Sequence, residues 1–199
     1  MLYLIKRIIR RNINSWLKPR AFLLEYEINY DIGGPIFIIF FYILLNFLKY
    51  FLITIFTRQI TSFYELFLKN ILFTLSFLIE IMLTPIILLL LMNLLKIKIN
   101  YLKDFLLLIY SFSIRNILIL INILIFLNII SIQLLNIYNI IDYILTQTGV
   151  IYSVILQAYY FSLKVPNIKF INFFIFAFLT WMNVLFIRWA YLFYISPTL

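Results

Sequence analysis

Residues 71–130 read ILFTLSFLIEIMLTPIILLLLMNLLKIKINYLKDFLLLIYSFSIRNILILINILIFLNII, two long apolar stretches joined by a turn rich in lysine. About 20 apolar residues of helix cross a hydrocarbon core roughly 30 Å thick, and backbone groups in lipid must be paired within the segment. Each stretch is therefore predicted to be a transmembrane helix, and the two together a tight hairpin. In this interpretation Glu80 and Arg115 are the charges that lie deep inside the spans.

The same pattern recurs along the chain and predicts an all-α membrane protein with five transmembrane helices. A basic amphipathic interfacial helix precedes them at the N-terminus. Pro35 follows Gly33 and Gly34 at the start of the first span, where a proline loses no donor that the helix needs. The predicted domains are a basic amphipathic segment, 1–34, and a membrane domain, 35–199, with spans at about 35–57, 70–95, 104–130, 143–163 and 170–194.

The composition indicates which genome carries the gene. Hydrophobic residues make up 66% of the chain, against roughly 45–50% apolar residues in soluble domains. The chain has 22 Phe and 15 Tyr but only 3 Gly, although membrane helix interfaces favour small residues. Since Phe, Tyr, Ile, Asn and Lys have A/T-rich codons, we infer an A/T-biased gene. With this hydrophobicity we expect an organellar gene and the mitochondrial inner membrane; an A/T-rich nuclear gene is the alternative.

Cysteine and histidine are both absent from the sequence. A disulfide, a thiolate zinc site and an iron–sulfur cluster within this chain are therefore excluded, and the usual haem ligand is missing. Glu80 is the one acid that lies deep inside a predicted span, and a single carboxylate does not hold a metal in a dry bilayer. We expect no catalytic residue, no metal, no cofactor and no nucleic-acid partner, and at most an accessory role in an enzyme complex.

The N-terminal segment Met1–Arg20 intersperses basic and apolar residues at a nearly helical spacing. We interpret it as a retained helix with its apolar side in the head-group layer and its basic side on anionic lipid. A transit peptide has a similar composition. A solvated basic tail that contacts a partner subunit is the other alternative.

Basic residues are concentrated on one side of the predicted topology. The tail and the second and fourth loops carry 6, 3 and 2 of them, which places the N-terminus in the matrix and the C-terminus in the intermembrane space. Trp189, Tyr191 and Tyr194 are interpreted as an interfacial anchor. The candidate ligands of lipid head groups, with cardiolipin as the expected lipid, are Lys6, Arg7, Arg10, Arg11, Lys96, Lys98, Lys103, Lys164 and Lys169.

Glu80 and Arg115 are predicted to form an ion pair between the second and third spans. At about 1.5 Å of rise per residue their depths differ by roughly 6 Å, which an arginine side chain can reach across. An unpaired charge in a membrane is costly and usually marks function or a partner. The pair is either a proton relay or a structural latch, and we favour the latch because no other span was assigned an ionisable residue. Four asparagines are expected to bond between helices, at about 0.6 kcal/mol each: Asn93, Asn116, Asn122 and Asn128.

Two family resemblances follow from short motifs. Arg115-Asn116 in an apolar helix resembles the intramembrane arginine of the ATP synthase proton-channel subunit, although that family's partner acids in the last helices are missing. Nearly the whole chain resembles the five-span Yip-domain family, which implies a membrane scaffold or trafficking factor without a catalytic residue. The segments that carry this second resemblance are Lys18–Phe22, Asp31–Pro35, the turn Leu94–Lys103 leading to Tyr110, and Lys164–Phe170.

Together these observations favour a non-catalytic subunit of a large mitochondrial inner-membrane complex, a respiratory complex or supercomplex or the ATP synthase, with a scaffold and lipid-binding role. Its expected partners are other membrane subunits and anionic phospholipids. The general character of the sequence resembles that of the unassigned mitochondrial reading frames of ciliates. The alternatives are a divergent proton-translocating core subunit that uses Glu80 and Arg115, a Yip-type trafficking protein, and a small transporter. Pro85 is the one broken-helix signal for a transporter.

Overall fold

The structure, a computed structural model, describes residues 2–57, 63–128, 135–165 and 168–195. Within these ranges the chain is all-α, and five of its stretches are long and apolar enough to cross a membrane. The predicted fold class, five spans preceded by an N-terminal helix in a multi-pass membrane protein, is confirmed. The helices are α1 (Leu2–Leu17), α2 (Pro19–Ile28), α3 (Gly33–Thr57), α4 (Phe63–Leu94), α5 (Tyr101–Tyr110), α6 (Ser113–Asn128), α7 (Leu135–Lys164) and α8 (Phe170–Ile195).

The five spans form a closed ring of neighbours. Helix α3 packs on α4, α4 on α8, α8 on α7, α7 on α6, and α6 returns to α3. Helix α5 is the first part of the third span and packs on α3 and α4, while α1 packs on α3 and α6 at the N-terminal end of the bundle. A ring of five helices encloses an interior, and that interior contains the site described below.

The third span is broken, where the sequence predicted one continuous helix over 104–130. Helix α5 ends at Tyr110 and α6 begins at Ser113. The amides of Ser111 and Phe112 donate to the carbonyls three residues back, at 3.1 and 3.0 Å, which tightens the turn. The Ser111 carbonyl accepts a hydrogen bond from Ser153 on α7 at 3.0 Å. A break at membrane depth is tolerated because a neighbouring helix satisfies the freed backbone.

Several helices are longer than the sequence predicted. Helix α4 begins at Phe63, inside the loop expected over 58–69, and α7 begins at Leu135, ahead of the link expected over 136–142. Both segments contain charged residues that lower the local hydropathy, and in α7 the charge of Asp142 is paired with Lys49. Residues 58–62, 129–134 and 166–167 lie outside the described ranges.

The N-terminal segment forms two helices rather than one. The break falls at Lys18, and Pro19 opens α2 at its first position, where a proline cannot continue the preceding hydrogen-bond ladder. Helix α1 presents Ile9, Ile13 and Leu17 outward. Its opposite side is docked on the bundle, because the Ser15 hydroxyl lies 2.9 Å from that of Ser113 on α6.

Candidate functional site

Glu80 lies at the centre of a three-helix ion cluster. Its carboxylate on α4 is 2% exposed. One oxygen accepts from Nη1 of Arg115 on α6, and the other accepts from Nη1 of Arg188 on α8 at 2.9 Å. The structure thus brings the predicted pair together and adds Arg188, which sequence reasoning missed. We call Glu80, Arg115 and Arg188 the double-arginine tie.

Neighbouring groups fix both guanidinium groups of the tie. Nε of Arg115 donates to Oγ of Ser153 at 3.1 Å, and Nε of Arg188 donates to Oγ of Ser76 at 3.3 Å. The Arg188 guanidinium also lies over the ring of Phe77, 3.8 Å from its centroid, in the geometry of a cation–π contact. Because both oxygens of Glu80 are occupied by permanently charged groups, the arrangement suits an electrostatic lock between helices better than a proton relay.

A second ion pair, buried on its lysine side, joins the first and fourth spans. Nζ of Lys49 on α3 donates to Oδ1 of Asp142 on α7, and Lys49 is 5% exposed. The same Asp142 oxygen accepts from Nδ2 of Asn122 at 2.6 Å, and Oδ1 of Asn122 accepts from the Tyr138 hydroxyl at 2.5 Å. The expectation that no other span contains an ionisable residue is therefore wrong. Lys49 lies within the predicted first span and Arg188 within the fifth, so both positions were visible in the sequence.

Both ion clusters line one cavity of about 400 Å³, enclosed by residues of all five spans. We call this cavity the chamber. Within the described ranges its lining carries three cationic side chains, Lys49, Arg115 and Arg188, but two carboxylates, Glu80 and Asp142. The other lining residues are Tyr42, Asn46, Tyr50, Phe77, Leu118, Ile119, Asn122, Asn139, Tyr143, Leu145, Thr146, Gln147, Gly149, Val150, Trp181 and Leu185.

Arg11 was predicted to bind lipid head groups, and the structure corrects this. Its side chain is 2% exposed. It donates to Asp31 at 2.5 Å, to Glu25 at 3.1 Å and to the Asn29 carbonyl at 2.8 Å. Burial disfavours the charge, but the hydrogen bonds and charges of Asp31 and Glu25 outweigh it and raise the pKa of Arg11. Arg11 therefore links α1 to α2 and to the turn that follows α2. Its buried contacts with two nearby acids leave its guanidinium unavailable to a lipid at the surface.

Lys103 and Lys164 are likewise committed to internal contacts instead of lipid. Glu27 lies 2.5 Å from Nζ of Lys103 and 3.1 Å from Nζ of Lys164, which also bonds to Asp104. Burial opposes ionisation of Glu27, but the hydrogen bonds from the two lysines prevail and lower the pKa of its carboxyl. The other candidate lipid ligands are exposed and outside every salt bridge of the described residues: Lys6, Arg7, Arg10, Lys96, Lys98 and Lys169.

A cluster around Tyr110 attaches the N-terminal helices to the membrane domain. The Tyr110 hydroxyl donates to Oδ1 of Asp31 at 2.7 Å, beside the Arg11 guanidinium. A Cβ added at Gly34 would lie 1.8 Å from the Tyr110 oxygen, so only glycine fits there. The backbone carbonyl of Ser15 accepts from the Tyr160 hydroxyl at 2.8 Å. These contacts couple the start of α3 to the break in the third span.

The predicted asparagine contacts divide into two groups. Asn116 donates to the Ile38 carbonyl of α3 at 3.1 Å, and Asn122 bonds to residues of α7, so both act between helices. Asn128 donates to the Leu124 carbonyl of its own helix, and Asn93 is exposed at the end of α4, so neither bonds between helices in the described residues.

The predicted aromatic anchor is described only in part. Trp189 is 62% exposed, and the side chains of Tyr191 and Tyr194 lie outside the described residues.

Among the side chains that the structure describes, no group of three acids, cysteines or histidines could hold a metal ion. No protein-family model, no curated protein and no solved structure matches this chain.

Proposed function

We propose that the chain is a non-catalytic, membrane-spanning subunit of a large assembly in the mitochondrial inner membrane, either a respiratory complex or supercomplex or the ATP synthase. The observation that carries this proposal is that its acids serve as structural ties. The sequence has seven acidic residues, and the side chain of Glu65 lies outside the description. Each of the others forms a salt bridge: Glu25, Glu27, Asp31, Glu80, Asp104 and Asp142.

The exposed cations support a lipid-binding role on the face that carries the N-terminus. Lys6, Arg7 and Arg10, together with the Arg11–Glu25 pair, line an open cleft of about 510 Å³ between α1 and α2. A cluster of basic groups beside exposed apolar residues suits an anionic phospholipid such as cardiolipin. The same asymmetry supports a matrix-side N-terminus and an opposite, intermembrane-space C-terminus.

A Yip-type membrane-trafficking protein is the second candidate, and one observation favours it. Asp31, Gly34 and Tyr110 belong to segments that carry the resemblance to that family, and they meet in one cluster. The proton-translocating alternative is less well supported, because both oxygens of Glu80 are held by arginines.

Complexome profiling tests the proposal. Mitochondria are solubilised in mild detergent, separated on a native gel and analysed by mass spectrometry in each slice. We expect the chain to comigrate with one respiratory complex or with ATP synthase. A small free species, or absence from mitochondria, would overturn the proposal and favour the trafficking candidate.

Native mass spectrometry in mixed lipid tests the lipid role. We expect the variant K6Q/R7Q/R10Q to lose most retained cardiolipin, and a variant with the same number of charges removed elsewhere, K96Q/K98Q/K169Q, to lose less. Equal retention by all three proteins would show that the cleft does not hold the lipid.

A further inference from the structure

We propose that the chamber is a binding site for a small organic monoanion, a monocarboxylate, held by the double-arginine tie. Such a site goes beyond the subunit role and does not depend on which assembly contains the chain. Three features of the chamber support it: the charge balance of its described lining, one buried donor without a partner among the described residues, and the shape and access of the cavity.

The charges of the chamber lining do not balance among the described residues. Lys49 and Asp142 neutralise each other across the ring, whereas Glu80 offers one negative charge to Arg115 and Arg188. The described part of the lining therefore has one positive charge in excess. An uncompensated charge inside a membrane bundle is costly. One bound monoanion would restore neutrality.

Trp181 gives the chamber a second feature that suits an anion. Trp181 on α8 lines the chamber and is 8% exposed, and its indole N–H has no hydrogen-bond partner among the described residues. A buried donor without a partner costs free energy of about 1–3 kcal/mol. An anion bound in the chamber within reach of Trp181 would give its N–H an acceptor.

The size and walls of the chamber favour an organic anion. Its volume of about 400 Å³ falls within the range of roughly 300–1,000 Å³ typical of small-molecule sites. Rings of Tyr42, Tyr50 and Phe77 and the side chain of Ile119 form apolar walls for a hydrocarbon body. A guanidinium matches the planar geometry of a carboxylate better than that of a spherical ion.

The lining of the chamber is exposed on α7 and α8, so we infer that a ligand enters there. The lining residues that are exposed, Asn139, Tyr143, Thr146 and Leu185, lie on these two helices. Gly149, on the same face of α7, packs against Arg115, and a Cβ there would lie 3.2 Å from the arginine side chain. A ligand can therefore enter beside α7 and reach the arginines without unfolding the bundle.

Equilibrium binding of radiolabelled hexanoate tests the inference. The full chain is reconstituted in phosphatidylcholine nanodiscs, and binding to empty discs is subtracted. We expect saturable binding, with competition by hexanamide and by inorganic phosphate at least about tenfold weaker, a difference of about 1.4 kcal/mol. Absence of saturable binding, or equal competition by hexanamide, would overturn the inference. Stronger competition by phosphate would overturn the assignment to a carboxylate.

Matched tryptophan variants locate the site. We expect Trp181→Phe, which removes the N–H and keeps a ring, to lower hexanoate affinity by about tenfold, the loss of one hydrogen bond to a charged group. Trp189→Phe, on the exposed side of the same helix, should leave it unchanged. Arg188→Lys keeps the positive charge but loses the planar set of guanidinium N–H donors. We expect it also to weaken hexanoate binding. Unchanged affinity in a folded Trp181→Phe protein would contradict this assignment, whatever the result of the comigration experiment.

Discussion

Two ion clusters in this molecule have inverse compositions. At the N-terminal end, one buried guanidinium, that of Arg11, is held by two carboxylates, Glu25 and Asp31. Inside the membrane ring, one buried carboxylate, Glu80, is held by two guanidinium groups. The first cluster has exposed lysine and arginine neighbours to offset its negative excess. Among the residues that the structure describes, the chamber lining has no further acid to offset its positive excess, so the same chemistry forms a closed joint in one place and an anion site in the other.

The largest expected effect comes from removing the shared carboxylate. Glu80→Gln leaves two buried arginines without their counter-charge, and breaking a buried pair in this way costs about 3–5 kcal/mol. We expect a large fall in the midpoint of thermal unfolding in detergent. Glu25→Gln is the control, because the Glu25 side chain is 44% exposed and exposed pairs are worth about 0–1 kcal/mol. Equal shifts in the two variants would contradict the contrast between the clusters.

The glycine at the N-terminal joint comes next. In Gly34→Ala the new methyl group would overlap the Tyr110 hydroxyl and displace it from Asp31. Overpacking of this kind costs about 1–3 kcal/mol. Gly33→Ala is the matched control, since the nearest side-chain atom there is 3.7 Å away. The two variants are compared by thermal unfolding, and a Gly34→Ala protein as stable as Gly33→Ala would refute the close approach.

The Glu27 joint should weaken in acid. Because its lysine partners lower the folded-state pKa of Glu27, its contribution is fully present above the ordinary carboxyl pKa of 4.5. That contribution is lost as the pH falls through the lower, folded value. We therefore expect wild type to be more stable than Glu27→Gln at neutral pH and the difference to shrink in acid. Thermal unfolding across the pH range measures this, and a difference that grows in acid would show the wrong sign.

The smallest expected effect lies at the end of α4. Lys96 has a left-handed backbone, with φ of 58°, a conformation that favours glycine at a helix C-terminus. Lys96→Gly should stabilise the protein by a few tenths of a kcal/mol up to about 1 kcal/mol. Lys98→Gly is the control: it removes a lysine charge two residues away, and we expect it not to stabilise the protein. A Lys96→Gly protein that unfolds earlier than wild type would contradict the assignment.

The sequence predicted the spans because each is a long apolar run, and such runs in lipid have few alternatives to a helix. It did not predict the break at Ser111, because serines flanking a phenylalanine in an apolar run carry no strong breaker. The partner that allows the break, Ser153, is remote in sequence.

Charge alone also did not identify the chamber. Lys49 and Arg188 lie nearer the span ends, where basic residues commonly reach the surface, and only the ring of helices shows that they turn inward.

The proposed interior, a polar and positively charged chamber, is tested most directly by thiol labelling. The chain has no cysteine, so single-cysteine variants can be made without first replacing native cysteines. Thr146→Cys introduces a thiol into the chamber lining, and Thr148→Cys introduces one at an exposed position outside that lining. We predict that Thr146→Cys reacts faster with an anionic methanethiosulfonate than with a cationic one, and that Thr148→Cys shows no such preference. Equal preference at both positions, or a faster cationic reaction at Thr146→Cys, would contradict the account.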